Sequence, residues 1–368
     1  MKLVADINIP YLKGVFEPFF DDVLYLPGNH ITGEMVKDAD ALLVRTRTNC
    51  NEGLLEGSKL KFIGSATIGY DHIDTHYCDR RGITWATAPG CNSGGVLQWV
   101  VCALLQLSRA KKFPLQGKVL GVVGVGNVGS KVAKAGEALG MQVLCCDPPR
   151  KRNENLAEFV DIQTIVRNAD IITFHVPLNR SGIDATYHLV NDSFFKGIKP
   201  NLTIINTSRG EVVEASSLVR AIKSGKVIAS ALDVWEGEPI VSSESISYID
   251  IATPHIAGYS LEGKVNGTKM VVDALSKYFK LGLDPWSPNP NPTDIRVPLD
   301  SPLDLPVAVN ETYDILSDDK AFRANPNTFE KLRNEYIYRR EFSAHDILND
   351  NSRLIEVLKK LGFKSSTQ

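Results

Sequence analysis

Three short segments of this 368-residue chain place ionisable side chains just beyond apolar runs. In Ile204-Ile205-Asn206-Thr207-Ser208-Arg209-Gly210 a guanidinium follows a strand-like stretch. Its planar fork can hold a carboxylate and a neighbouring carbonyl oxygen through parallel hydrogen bonds. Leu232–Pro239 contains Glu238, and Thr253-Pro254-His255 ends on an imidazole. Taking a hydride from an alcohol carbon requires the hydroxyl proton to leave as well, and histidine suits that task because it ionises near neutrality. A carboxylate on the other ring nitrogen would set the tautomer and stabilise the imidazolium, and Glu238 is the candidate. By spacing alone each residue also has a plainer reading: a lone Arg or Glu in a loop is a surface charge, and a lone His is structural.

A second constellation is the run Gly124-Val125-Gly126-Asn127-Val128-Gly129, which fits G-x-G-x-x-G. It follows the apolar run Val119–Val123 and opens a helical pattern through Val132, Ala135 and Leu139, the context a dinucleotide fingerprint requires. Gly124 permits the turn, Gly126 lets backbone approach a pyrophosphate, and Gly129 lets helix and strand pack closely. Phosphate charge would then lie on the N–H groups opening the helix. The next strand-like run ends in Asp147, where a carboxylate can accept from ribose hydroxyls and repel a 2′-phosphate. NAD is therefore expected rather than NADP, although Arg150 lies close enough to soften the preference.

The elements that must carry these residues are also legible. Strand-like runs at 3–5, 42–44, 62–66, 118–123, 143–146, 171–175, 203–206 and 229–232 alternate with helical spacing, as in parallel α/β proteins. A long helix is predicted over 94–110 and another helical pattern from 255 to 281. The expected architecture is α/β, with two Rossmann-like parallel-sheet domains around a cleft and a small C-terminal α/β domain. Residues 1–93 and 259–285 would form one domain and 94–258 the dinucleotide domain. The proline-dense stretch 286–306 would be a linker and 307–368 the last unit.

Composition excludes several functions. A formal net charge of −2 argues against broad capture of nucleic acid or anionic membrane. The apolar runs are too short to span a bilayer. The six cysteines include no C-x-x-C pair and no zinc spacing, so reduced thiols in a cytoplasmic protein are expected. No signal peptide is read at the N-terminus. His72 and His76 sit four apart, but no third ligand accompanies them, so no metal is expected.

Taken together, the segments at 124–129, 147, 206–210, 232–239 and 253–258 resemble the D-isomer-specific 2-hydroxyacid dehydrogenase family over most of residues 1–285. The resemblance implies an NAD-dependent oxidation of a small 2-hydroxy acid, with Arg209, Glu238 and His255 catalytic. It implies that Gly124, Gly126, Asn127, Val128, Gly129, Asp147, Val176, Thr207, Ser208, Arg209, Asp233 and Gly258 line the cofactor. Thr46, Thr67 and Tyr259 would touch substrate. Two positions depart from the family pattern: Thr46 stands where serine is common, and Gln98 where many members have glutamate. The additional C-terminal residues, with Leu332-Arg333 and Tyr338-Arg339-Arg340-Glu341, resemble a branch that acts on a phosphorylated substrate and forms homodimers through this domain. Candidate phosphate cations are Arg45, Arg47 and Lys264, with Arg339 and Arg340 reaching in from a partner. Two other readings stand beside this one: a family dehydrogenase acting on phosphoglycerate or a simpler 2-hydroxy acid, and a non-catalytic NAD-sensing binding protein.

Overall fold

Buried apolar runs form the strands of two separate parallel sheets. The computed structural model describes residues 1–288, 304–347 and 352–365. It divides into two units, Met1–Asn92 with Ser260–Asp294, and Ser93–Tyr259 with Ile295–Gln368.

The first unit contains β1 (Lys2–Asp6), β2 (Asp22–Leu26), β3 (Ala41–Val44), β4 (Phe62–Ser65) and β5 (Thr84–Ala86), in the order β2-β1-β3-β4-β5. All four residues of β3 and of β4 are buried, as expected where both faces of a parallel sheet are covered. Helix Leu261–Phe279 lies against β4, with Ser260 capping its first turn by accepting from Gly263 N.

The second unit contains β6 (Val119–Val123), β7 (Gln142–Cys146), β8 (Ile171–Phe174), β9 (Leu202–Asn206), β10 (Val227–Leu232) and β11 (Ile251–Ala252). Their order is β11-β10-β9-β8-β6-β7. Strand progression reverses at β6, which has β7 on one side and β8 on the other. Ligands of open α/β sheets bind beyond the carboxyl ends of strands at such a switch point.

Helix Ser93–Lys111 is buried along most of its length because helices Gly129–Ala138 and Leu305–Thr312 and strand β10 all cover it. The C-terminal residues that the sequence sets apart at 307–368 contribute their described helices to this same unit. Ile315–Ala324 lies on β11 and Ser352–Leu361 on Gly129–Ala138. Val309, Ile315, Leu354 and Leu358 share one apolar cluster with Val100 and Leu120. Among the described residues, the strand content of this region is the short parallel pair Asp346–Ile347 and Lys364–Ser365. Of the proline-dense linker, 289–303 lies outside the described residues.

Five of the six cysteines are buried, Cys145 is half-buried, and none is paired. Among the described residues no helix is long and apolar enough to cross a membrane, and no cluster of three or more His, Cys, Asp or Glu is placed to hold a metal.

Candidate active site

Sheet register places the three ionisable segments on one edge. Asn206 of β9 pairs with Leu232 of β10, and Leu232 pairs with Ala252 of β11. Arg209 follows the end of β9, Glu238 that of β10 and His255 that of β11, so all three leave the carboxyl ends of neighbouring strands.

The His255 loop is built around a buried carboxylate. Asp233 accepts from the Thr253 hydroxyl at 2.5 Å and from Ile256 N at 2.8 Å through Oδ1, and from Ala257 N at 2.8 Å through Oδ2. Its backbone oxygen accepts from His255 N at 2.7 Å. These bonds hold His255 at φ 56°, a left-handed conformation that costs a non-glycine residue about 1–3 kcal/mol.

In that conformation His255 Nδ1 lies 2.6 Å from Glu238 Oε1, and the two side chains are 29% and 27% exposed. Burial pushes the Glu238 carboxyl up, but the His255 hydrogen bond and charge, together with Arg333, outweigh it and leave the group below its ordinary value. Glu238 therefore remains a carboxylate. Trp235 lies beside the loop and donates its indole N–H to Thr253 O at 2.8 Å. Arg209 is half-buried and donates from Nη1 to Ser208 O at 2.9 Å. Buried Asn206, which opens the 206–210 segment but was given no role of its own from the sequence, shapes its turn. The Asn206 amide donates to Arg209 O at 2.9 Å and accepts from Ser208 N at 3.0 Å and Ser208 Oγ at 2.7 Å.

The glycine motif joins β6 to helix Gly129–Ala138 at the switch point. Gly124 has φ 85°, and a Cβ at Gly129 would lie 1.9 Å from Gly124 O, so both glycines are required by the turn itself. A Cβ at Gly126 would meet nothing within 4 Å. The protein's own packing leaves Gly126 open, which fits a dinucleotide phosphate lying against its backbone. Val128, at the helix start, makes no side-chain cap, so first-turn N–H groups are not satisfied in that way.

Asp147 directly follows β7 and is half-buried. Its Oδ2 accepts from Val125 N at 2.8 Å and its Oδ1 from Arg150 N at 3.1 Å, and each oxygen retains capacity for a further donor. Arg150 is held locally by Val125 O at 2.6 Å, the Glu154 carboxylate and the Phe159 ring. Thr207 bonds His175 Nδ1 at 3.2 Å, and Thr173 bonds His175 Nε2 at 2.9 Å. Loss of hydration pushes His175 down to about 3, so this histidine is neutral. Val176, beside it, is in reach of Gly124: a Cβ on that glycine would lie 2.8 Å from Val176 Cγ1.

The family described as "D-isomer specific 2-hydroxyacid dehydrogenase, NAD binding domain" matches residues 98–257, and one described as "Domain of unknown function (DUF3410)" matches 290–362. An erythronate-4-phosphate dehydrogenase of Bacteroides fragilis is 45% identical over 95% of this chain and 99% of that protein. One from Shigella flexneri serotype 5b is 40% identical over 99% of this chain and 98% of that protein. The chain belongs to the D-isomer specific 2-hydroxyacid dehydrogenase family. Among solved structures, D-lactate dehydrogenase of Aquifex aeolicus with NAD and lactic acid matches at TM-score 0.65 and 26% identity, over 78% of this chain and 97% of that one. The 3-phosphoglycerate dehydrogenase of Entamoeba histolytica shares the fold, with TM-score 0.65 over 79% of this chain and 99% of that one. This family member is an NAD-dependent dehydrogenase, and its central unit is an NAD-binding domain.

In the first unit of this 2-hydroxyacid dehydrogenase, Val44 of β3 pairs with Ser65 of β4. Thr46 and Thr67 each stand two residues past that pair. Thr46 is exposed, and the Thr67 hydroxyl lies 2.7 Å from that of Ser65. His72 Nε2 lies 3.0 Å from Ser65 Oγ, a structural role. Arg45 donates to Asn8 O at 3.2 Å.

One expectation is corrected. Arg339 was read as a cation reaching in from a partner, yet it is buried inside its own chain. Its Nη1 donates to Ile256 O at 3.0 Å, Tyr259 O at 3.3 Å and the Tyr336 hydroxyl at 3.2 Å. Its Nη2 donates to Gly95 O at 3.0 Å and to Ala257 O, and its Nε to Gln98 Oε1 at 3.0 Å. Gln98 thus meets this guanidinium through a neutral oxygen. Arg339 closes the loop that begins at His255. No sequence signal foretold this, because most of its acceptors are main-chain carbonyls.

Tyr259 is approached from the C-terminal segment. The Arg333 guanidinium lies over its ring at 5.7 Å, and Tyr336 and Tyr338 meet it edge-on.

Proposed function

We propose that this enzyme oxidises 4-phospho-D-erythronate to 2-oxo-3-hydroxy-4-phosphobutanoate with NAD, as a step in pyridoxal 5′-phosphate (vitamin B6) biosynthesis. The observation that carries this reading is the His255–Glu238 pair at 2.6 Å on an NAD-binding domain, in a chain similar over nearly its whole length to erythronate-4-phosphate dehydrogenases.

Bound NAD supplies the hydride acceptor. His255 takes the C2 hydroxyl proton on Nε2 as the C2–H bond breaks. Glu238, ionised and bonded to Nδ1, keeps Nε2 available as acceptor and stabilises the imidazolium that forms. Arg209 pairs with the substrate carboxylate and the oxygen that becomes the ketone. Thr46, Thr67 and Tyr259 contribute hydroxyls to the substrate. Gly124, Gly126, Asn127, Val128 and Gly129 hold the pyrophosphate, Asp147 the adenosine ribose, and Val176, Thr207, Ser208, Asp233 and Gly258 the nicotinamide half.

The active form is a homodimer built through the C-terminal segment, a reading supported by exposed apolar side chains there: Ile337 is 91% exposed and Leu316 44%. Six unpaired thiols fit a reducing, cytoplasmic setting.

A substrate panel followed by NADH absorbance tests the activity. 4-Phosphoerythronate is expected to have the highest kcat/KM. Turnover of 3-phosphoglycerate with none of 4-phosphoerythronate would overturn the choice of substrate, and NADH binding with no turnover of any 2-hydroxy acid would favour a sensor.

A further inference from the structure

Arg333 lies on the short helix Phe329–Asn334, within the segment that the family described as a domain of unknown function matches. Its side chain is 17% exposed, and burial alone would weaken its charge. Its contacts are sparse for a sequestered guanidinium. Nη1 is 3.4 Å from Glu330 Oε1, the aromatic faces of Tyr259 and Phe329 lie 5.7 and 5.5 Å away, and the group hydrogen-bonds Tyr259. Nε is buried with no hydrogen-bond partner among the described residues. An N–H of a buried cation left unpaired is costly, more so than a neutral one, and such a group in a native protein calls for a partner. Arg333 also acts on Glu238, the carboxylate bonded to His255.

We propose that Arg333 is a specificity-determining residue that binds the phosphate of the substrate. This rests on the preceding reading of a phosphorylated 2-hydroxy acid. Four single bonds separate C2, beside His255, from the phosphorus of 4-phosphoerythronate. The carboxylate end is already taken by Arg209, so a second guanidinium near the His255–Glu238 pair meets the other charged end. The planar Arg fork matches phosphate oxygens bidentately, and the Tyr259 face beneath it restricts its orientation. The C-terminal segment then contributes directly to substrate choice.

Arg333→Gln and Arg333→Lys, made in the full chain, test this. With Arg333→Gln the ratio of kcat/KM for 4-phosphoerythronate to that for unphosphorylated erythronate is expected to fall about 10²-fold, through KM, with Lys recovering part of it. Equal losses on both substrates would instead make Arg333 a support for Glu238 and overturn the proposal. Calorimetric binding of inorganic phosphate to the NADH complex gives a readout independent of turnover. Phosphate is expected to bind the wild type and weaken at least tenfold with Arg333→Gln, while NADH affinity, the check on folding, is retained. Equal phosphate binding by both proteins overturns the assignment. A wild type that turns over no phosphorylated substrate, yet loses phosphate binding on this substitution, would overturn the functional reading and uphold the phosphate site.

Discussion

Glu238 Oε1 lies 2.6 Å from His255 Nδ1, joining two residues seventeen positions apart that leave the ends of adjacent strands β10 and β11. The imidazole is held by Nδ1, and its other nitrogen is the one proposed for proton transfer. His255→Ala is expected to lower kcat about 10²–10⁴-fold while NADH affinity stays within about twofold, since the base acts only in chemistry. Glu238→Gln should reproduce much of the loss. Single-turnover rates and NADH titration check both, and near-normal turnover of His255→Ala would remove it from this role.

Asp147 has a different signature. Serine at 147 keeps a cap for Arg150 N but removes the charge. Asp147→Ser is expected to raise KM for NAD about tenfold and to increase the NADP-to-NAD ratio of kcat/KM, the loss expected for a charge-assisted hydrogen bond. Steady-state kinetics with both cofactors decide this, and an unchanged ratio would place ribose recognition elsewhere.

Arg339 ties the C-terminal segment to the loop after His255. Arg339→Met strands the carbonyls of Gly95, Ile256, Ala257 and Tyr259 together with Gln98 Oε1. Each unpaired buried acceptor costs about 1–3 kcal/mol, so a loss of at least about 3 kcal/mol is expected in urea unfolding. Lysine at this position keeps the charge but not the fork, and should fall between the two. A loss below about 1 kcal/mol for Arg339→Met would contradict the clamp.

His175 predicts a pH dependence of stability. Its folded value is about 3, against about 6.5 when unfolded. Between these values the unfolded chain binds a proton that the folded chain does not. Its contribution is complete above the unfolded value and is lost as pH falls toward the folded one, at about 1.4 kcal/mol per pH unit. Urea unfolding of the cofactor-free chain at several pH values, against His175→Gln, should show a slope smaller by one proton in the variant. Equal slopes would mean that folded His175 accepts the proton.

Most of the scaffold was legible because it is written in local pattern. The helix expected over 94–110 is observed at Ser93–Lys111, and the glycine motif sits between β6 and its helix as its spacing demanded. Strands β2, β5 and β11 escaped the reading. β2 lies at the sheet edge with its first residue exposed, and β5 and β11 have three and two residues, too few for a period to emerge. The pattern read from 255 onward begins as a helix only at Leu261, because Asp233 first draws 253–257 into its own loop.

The chain by itself determined which residue types were available and on which strand ends they would stand, since hydrophobic period and glycine spacing are local properties. Tertiary structure alone decided which nitrogen of His255 meets Glu238, that buried Asp233 sets the loop, and that Arg339 turns inward to main-chain carbonyls. It also left Arg333 with an unmet donor beside Tyr259. Those outcomes depend on burial and on acceptors that every residue carries alike, so side-chain order along the chain holds no record of them.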